Sequence, residues 1–384
     1  LADIFTKGVQ SIGLDVLHIG QVTTPALYFS IIHLNTDGGV MITGSHNPIE
    51  FNGFKMNDGL KSVYGQEIQE MKKLILSKDF DKAPQAGSLR KVELMPDYIA
   101  MLRSKFSFKR KLKIVIDAGN AVAGPVAPQL FRDYGMEVIE LYCEPDGRFP
   151  NHLPDPSVPK YMKDLIAKVV EEKADIGIGY DGDADRVGAI DEKGNMIFAD
   201  TLLAIYSQDV LRRKPGSQII FDVKCTQALP EIIEKNGGVP LMWKTGHSIL
   251  KAKMKETGAP FAGEMSGHMF FADDYYGFDD GIYASGRLLE ILSNSDKSLS
   301  ALVAEIPKFA STPEIRVECA DDQKFKVITG LVEEFAKSYK VISIDGARVE
   351  FGDGWGLVRA SNTQPTLVLR FEATTRQRLK EIIN

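Results

Sequence analysis

Ile176-Gly-Ile-Gly-Tyr-Asp-Gly-Asp-Ala-Asp-Arg-Val-Gly-Ala-Ile190 joins two kinds of sequence in fifteen residues. Ile176 to Tyr180 is a short apolar run of the kind that forms a buried strand, and Arg186 to Ile190 reads as another strand. Between them lies Asp181-Gly-Asp-Ala-Asp-Arg186. Wound α/β sheets place their sites at the carboxyl ends of strands, so the segment points to that fold and to a site within it. Carboxylates at alternate positions of an extended or looping chain project to one side, where they repel unless a cation joins them. Oxygen-only donors suit a hard ion such as Mg²⁺. A solvated acidic turn is the plain alternative.

The rest of the chain repeats this alternation. Strand-like runs occur at Val40 to Thr43, Lys113 to Asp117, Glu137 to Leu141, Gln218 to Asp222 and Pro240 to Trp243. Helical patterns fall near 64–76, 122–134, 159–172, 200–212, 247–256 and 280–293. Such a succession predicts parallel, doubly wound sheets, and the successive α/β units are candidates for diverged copies of one domain. The tail differs: a strand at Glu314 to Glu318, a helix near 323–338, strands near 342–351, 355–360 and 366–372, and a last helix predict a separate α+β domain. Pro- and Gly-rich stretches at 83–88, 145–159 and 308–313 mark breaks or functional loops. The first residue is Leu1, in a helix-like stretch that leads to the strand-like Asp15 to Gly20. That pattern is the back half of a βαβ unit and predicts a preceding strand.

The 384 residues carry 46 Lys+Arg against 52 Asp+Glu, a net charge of −6. Without a dense basic block, nucleic acid is not an expected partner. Three distant cysteines, Cys143, Cys225 and Cys319, support neither a disulfide framework nor a zinc site, and a reduced cytoplasmic setting fits them best. The longest apolar stretch, around Ala26 to Leu34, is about half a membrane span and holds Ser30 and His33, so no membrane partner is expected.

Three sharper readings compete for the acidic segment. A calcium loop of the EF-hand type wants Gly where Arg186 stands, although Glu192 falls at its twelfth position. A dinucleotide fingerprint is matched literally by Gly177, Gly179 and Gly182 with Asp200 beyond, but no helix opens after the third glycine. A phosphatase with an aspartyl nucleophile in Asp-x-Asp-x-Thr would have Thr or Val where Asp185 stands.

Four further constellations carry chemistry. In Thr43-Gly-Ser-His-Asn-Pro48, Gly44 permits close backbone approach, and Asn47 and Pro48 stop the strand so that the Ser45 hydroxyl projects from a turn. A Ser-His-Asp triad fits poorly, since adjacent residues of an extended chain point opposite ways. With a Mg²⁺-type cluster and Lys55 nearby, Ser45 is a candidate carrier of a phosphoryl group. In Arg359-Ala-Ser-Asn-Thr-Gln-Pro365, one guanidinium, two hydroxyls, an amide and loop N–H groups suit a phosphate dianion, with Arg370 on the next strand. In Gly263-Glu-Met-Ser-Gly-His268, Glu264, Ser266 and His268 alternate to one face of an extended loop, as polyol-binding groups would. Lys244-Thr-Gly-His247 adds a cation and an imidazole at a strand end.

Together these motifs resemble the α-D-phosphohexomutase family, most closely its bacterial phosphomannomutase/phosphoglucomutase branch. The resemblance spans nearly the whole chain and rests on the order of four motifs, at 43–48, 181–186, 263–268 and 359–365; Pro145-Asp-Gly-Arg-Phe-Pro-Asn-His152 is also similar to the family's loop. It implies an α/β fold of three similar doubly wound domains plus a C-terminal α+β domain around a central cleft. On this chain that gives an incomplete domain 1 with the phosphoserine loop at 1–88, domain 2 with the metal loop at 89–192, domain 3 with the sugar loop at 193–309 and domain 4 with the phosphate loop at 310–384.

The resemblance also implies a phosphoserine at Ser45, with Mg²⁺ held by Asp181, Asp183, Asp185 and that phosphate, and Arg186 nearby. Glu264 and Ser266 would then bind sugar hydroxyls, and Arg359, Ser361, Asn362 and Thr363 the distal phosphate. Lys55 and His268 would manage the proton at the sugar hydroxyl, with Lys244 and His247 as further contacts. The implied reaction interconverts the 1- and 6-phosphates of mannose or glucose through a 1,6-bisphosphate. The family also has a Gly-x-x-Gly-x-Arg strand and an Arg-Asp-x-Arg-x-Ser segment, neither of which is in this sequence. Two rivals stay open: a sugar-phosphate phosphatase, and a non-catalytic sugar-phosphate binding protein should those segments be absent from the natural protein.

Overall fold

A computed structural model describes residues 1–361 and 364–384. The chain divides into two compact units, Leu1–Phe198 with Ser266–Ser300, and Ala199–Met265 with Ala301–Asn384.

The first unit is built on a five-stranded sheet in the order Met196–Ile197, Val187–Asp191, Ile176–Tyr180, Lys113–Asp117, Glu137–Leu141. The last three run parallel. Val187–Asp191 pairs antiparallel with Ile176–Tyr180, a departure from the all-parallel expectation. The cause is length: residues 181–186 are too few for a parallel crossover, which takes about a dozen residues, so the chain turns back as a hairpin. The strand separates two helices by its alternation. A Cβ on Gly177 or Gly179 would meet Leu165, Val169 or Met162 of the Lys163–Glu172 side, while Tyr180 bonds Ser285 of the helix Gly281–Ser293 at 2.6 Å. Val115, Leu165, Val169 and Ile190 form the core under the first helix.

Also in this unit, Val16–His18 pairs parallel with Leu89–Lys91, and Gly38–Ile42, Phe54–Asp58 and Lys61–Ser62 form an antiparallel meander. The helix Thr24–His33 is buried over nearly all its length, Thr23 capping its start through Ala26 N–H. That settles the apolar stretch at 26–34 as a core helix. Among the described residues no helix is long and apolar enough to cross a membrane.

In the second unit Gln218–Asp222 runs parallel to both Val239–Trp243 and Phe261–Gly263, with the helices Ala199–Arg213, Ala228–Lys235 and His247–Thr257. The tail forms an antiparallel sheet centred on Gly354–Ala360 and Thr366–Ala373, flanked by the helices Asp321–Phe335 and Arg376–Ile383. The expected single strand near 342–351 is two, Lys340–Ile342 and Ala347–Glu350, paired to each other across a turn. The tail is wired to the parallel strands: Arg348 lies 3.8 Å over the Trp355 ring and donates to the carbonyls of Val223 and Cys225 at 2.8 and 2.9 Å.

Candidate active site

The first unit gathers the serine loop and the acidic loop. Ser45 sits at φ +51°, a strained backbone for a residue with a Cβ, and its N–H is held by Thr43 Oγ1 at 2.8 Å. Its hydroxyl lies 2.8 Å from Asp181 Oδ2 and 3.0 Å from His46 Nδ1. The objection that adjacent Ser and His diverge assumed an extended chain; the turn at Ser45 brings the two together. The loops also touch through backbone. A Cβ on Gly182 would lie 1.9 Å from the Ser45 carbonyl oxygen, so only glycine fits there, and one on Gly44 would lie 2.9 Å from Phe51 O.

Asp181, Asp183 and Asp185 are buried with carboxylate oxygens within 4.8 Å of one another. Lys55 donates to Asp183 Oδ2 at 2.7 Å and also bonds Asp185 Oδ2. Thr24 Oγ1 donates to Asp183 Oδ2 at 2.7 Å. Burial pushes the Asp181 carboxyl up to about 8, with Asp185 and Asp183 adding to it. Asp185 is raised by burial and by Asp183. Asp183 goes the other way: burial alone would raise it, but the Lys55 ammonium outweighs that and holds it below the usual range. Lys55 is in turn held above its ordinary value, Asp183 and Asp185 overriding desolvation. Asp183 Oδ1 and Asp185 Oδ1 are buried and accept no hydrogen bond among the described residues. Such oxygens are costly unless a cation meets them, so the residues present fit a hard metal ion.

Arg186 is buried, donating from Nε to Asp181 Oδ2 at 3.1 Å and from Nη1 to Asp155 Oδ1 at 3.3 Å, while its Nη2 has no partner among the described residues. Its backbone bridges to His268. His268 Nδ1 lies 2.9 Å from Asp279 Oδ2 and 3.6 Å from Asp185 Oδ1. Burial, then the Arg186 charge, pushes His46 down to about 4, leaving a neutral ring beside Ser45.

The motif at 263–268 is divided between the units: Gly263, Glu264 and Met265 belong to the second, Ser266 and His268 to the first. In the second unit Glu264 Oε1 accepts from Gly246 N at 2.6 Å, next to His247, which starts the helix His247–Thr257. Arg359 is buried and donates to Asp345, which also takes the Thr245 N–H at 3.0 Å. Lys324 clasps the phosphate-type loop through the carbonyls of Ser361 and Gln364, at 2.6 and 3.1 Å. Asn362 and Thr363 lie outside the described residues. Lys244 is exposed. Lys224, by contrast, is buried, 3.3 Å from Glu314; it is held above its ordinary value because Asp222, Glu314 and Glu264 outweigh its burial.

Lys224, Thr24 and Asp155 are absent from the sequence reading, and His46 was set aside there with the triad. Lys224 had a signal, since it follows the carboxyl end of Gln218–Asp222 just as the acidic loop follows Tyr180. Thr24 had none, being 159 residues from its partner.

A fold of repeated α/β layers that sets a strained serine against three buried carboxylates defines a phosphoryl-handling enzyme. Comparison with known proteins carries this to a family. Residues 1–82, 96–194 and 198–309 match the phosphoglucomutase/phosphomannomutase alpha/beta/alpha domains I, II and III, and residues 314–384 match its C-terminal domain. The chain is 48% identical over 383 residues to a phosphomannomutase/phosphoglucomutase of Pseudomonas putida, covering 100% of this chain and 82% of the relative. It is 46% identical to a phosphoglucomutase of Neisseria gonorrhoeae, covering 100% and 84%. The crystal structure of a phosphoglucomutase/phosphomannomutase family protein from Burkholderia thailandensis superposes with a TM-score of 0.91 at 42% identity, covering 100% and 84%. The chain belongs to the phosphoglucomutase/phosphomannomutase family.

Proposed function

We propose that Ser45 carries the phosphoryl group in a mutase reaction that interconverts the 1- and 6-phosphates of mannose or glucose. The observation that supports this most is the Ser45 hydroxyl 2.8 Å from Asp181, in a carboxylate cluster two of whose buried oxygens accept no hydrogen bond among the described residues. In the forward step the bond between phosphorus and Ser45 Oγ breaks as one forms to a sugar hydroxyl, whose proton passes to His268, while Lys55, kept an ammonium by Asp183 and Asp185, is proposed to act only as a donor. The bisphosphate then returns its other phosphoryl to Ser45. Asp181, Asp183 and Asp185, with the phosphate on Ser45, are the proposed holders of Mg²⁺, which would offset charge on the transferring group. The buried Arg186, whose Nη2 has no hydrogen-bond partner among the described residues, is proposed to do the same from the protein side. Lys224, Glu264, Ser266 and His247 are proposed to bind sugar hydroxyls, with Lys244 as a further contact. Arg359, Ser361, Asn362 and Thr363 are proposed for the phosphate that does not react.

The test uses the full-length protein with Mg²⁺, a trace of glucose 1,6-bisphosphate, and glucose, mannose or glucosamine 1-phosphate in turn. The expected result is 6-phosphate from the glucose and mannose substrates without stoichiometric free phosphate. Free phosphate without 6-phosphate would mean a phosphatase, and binding without turnover a binding protein; either would overturn the mutase reading.

A further inference from the structure

The loop Pro145 to His152 has no part in the chemistry above, yet its last residue is tightly placed. Asp117 ends the strand Lys113–Asp117 and accepts from Gly119 N at 2.8 Å. Its other oxygen lies 3.0 Å from His152 Nε2, and His152 Nδ1 lies 2.9 Å from the Leu153 carbonyl oxygen. A carboxylate and a carbonyl only accept, so both ring nitrogens must donate and the ring is an imidazolium. Tyr161 stacks on it and Tyr142 meets it edge-on. The charged groups around it are Asp117, Asp164, which takes the Tyr142 hydroxyl, and Lys160, over the Tyr161 ring. Burial works against the charge, but Asp117 outweighs it and holds the ring's pKa above the ordinary value.

Pro154, Asp155 and Pro156 reach the acidic loop and the strand that follows it. Pro154 would lie 3.3 Å from a Cβ on Gly182, and Pro156 would lie 2.9 Å from one on Gly188. Asp155 takes Arg186 Nη1, and Arg186 Nε holds Asp181, the partner of Ser45. We propose that His152 is a positioning residue: as an imidazolium bound by Asp117 and the Leu153 carbonyl, it seats Pro154, Asp155 and Pro156 against the acidic loop and so fixes Arg186 and Asp181 beside Ser45. Only the kinetic arm of its test rests on the mutase reading.

Nitrogen-15 NMR of the labelled full-length protein at pH 7.5 should show both His152 ring nitrogens protonated; one bare nitrogen overturns the proposal. In His152→Gln, hydrogen exchange followed by mass spectrometry should run about tenfold faster at both 153–156 and 181–186. Faster exchange confined to 145–152 would show that the ring holds only its own loop, and overturn it. The same variant should lose about 10–100-fold in kcat with KM little changed, the usual effect of a lost supporting contact. Unchanged kcat in a variant of an active enzyme also overturns it. If His152→Gln does not fold, Asp155→Asn tests the same relay and should give the same kcat loss. Where both fold, their combination should be no worse than either alone. A wild-type protein that takes up no phosphoryl group would sink the mutase reading, while the NMR and exchange results would still decide this one.

Discussion

Asp183 is held at one oxygen by two unlike donors, the Lys55 ammonium and the Thr24 hydroxyl, while its other oxygen accepts nothing among the described residues. Removing the hydroxyl in Thr24→Val keeps the side chain's shape but frees the carboxylate to turn. Calorimetric titration of Mg²⁺ should then show affinity lower by about 10–100-fold; affinity equal to wild type would show that Thr24 only packs. The acidic loop's place at the carboxyl end of an apolar strand was legible, although a solvated turn and three other readings competed for its role. Its support was not: Thr24 lies 159 residues from Asp183 and Lys55 lies 128, and no local pattern encodes such a meeting. His46 was set aside for a different reason, that extended geometry was assumed for neighbours where Ser45 has a positive φ.

Elements marked by a bounded apolar run or a clear period were readable, and very short strands and one almost wholly apolar helix were not. The strands Lys113–Asp117, Glu137–Leu141 and Gln218–Asp222 fall where their apolar runs placed them, whereas Thr24–His33, buried from Thr24 to Ile31, has no polar face to reveal its helical period. Phe261–Gly263 and Leu89–Lys91 are too short for alternation to show. The helix Gly281–Ser293 was readable, and its cap gives a test. Asp280 accepts from Tyr283 N–H at 2.8 Å and from the hydroxyls of Tyr98 and Tyr275 at 2.7 and 2.6 Å. Burial still dominates and pushes its carboxyl up to about 6 from 3.8. The folded protein therefore binds this proton more tightly than the unfolded chain, so the group's contribution to stability falls as pH rises from about 4 to 6 and is flat above. Thermal melts should show that slope in wild type and a flatter one in Asp280→Asn. An equal slope in both would place the titration elsewhere.

Across the whole molecule, two units with their own cores divide the four family domains unevenly, since Ser266–Ser300 of the third belongs with the first two. That division was invisible in the sequence, where the sugar-type motif at 263–268 reads as one loop. Within the second unit, Arg348 joins the tail to the parallel strands, stacked on Trp355 and bonded to two carbonyls. Arg348→Ala would leave both carbonyls buried and unpaired, a loss of about 2–4 kcal/mol. Urea unfolding followed by tryptophan fluorescence should show a lower midpoint, and an unchanged midpoint would deny Arg348 that role. The metal should act on the first unit: saturating Mg²⁺ at about 100 times its Kd should add about 2.7 kcal/mol, lost with chelator. The central claim, that Ser45 carries the phosphoryl group, is tested most directly by the intact mass of the full-length protein after brief exposure to glucose 1,6-bisphosphate. The mass should rise by one phosphate in wild type and stay unchanged in Ser45→Ala; an unmodified Ser45 in a protein that turns over its substrate would contradict the account.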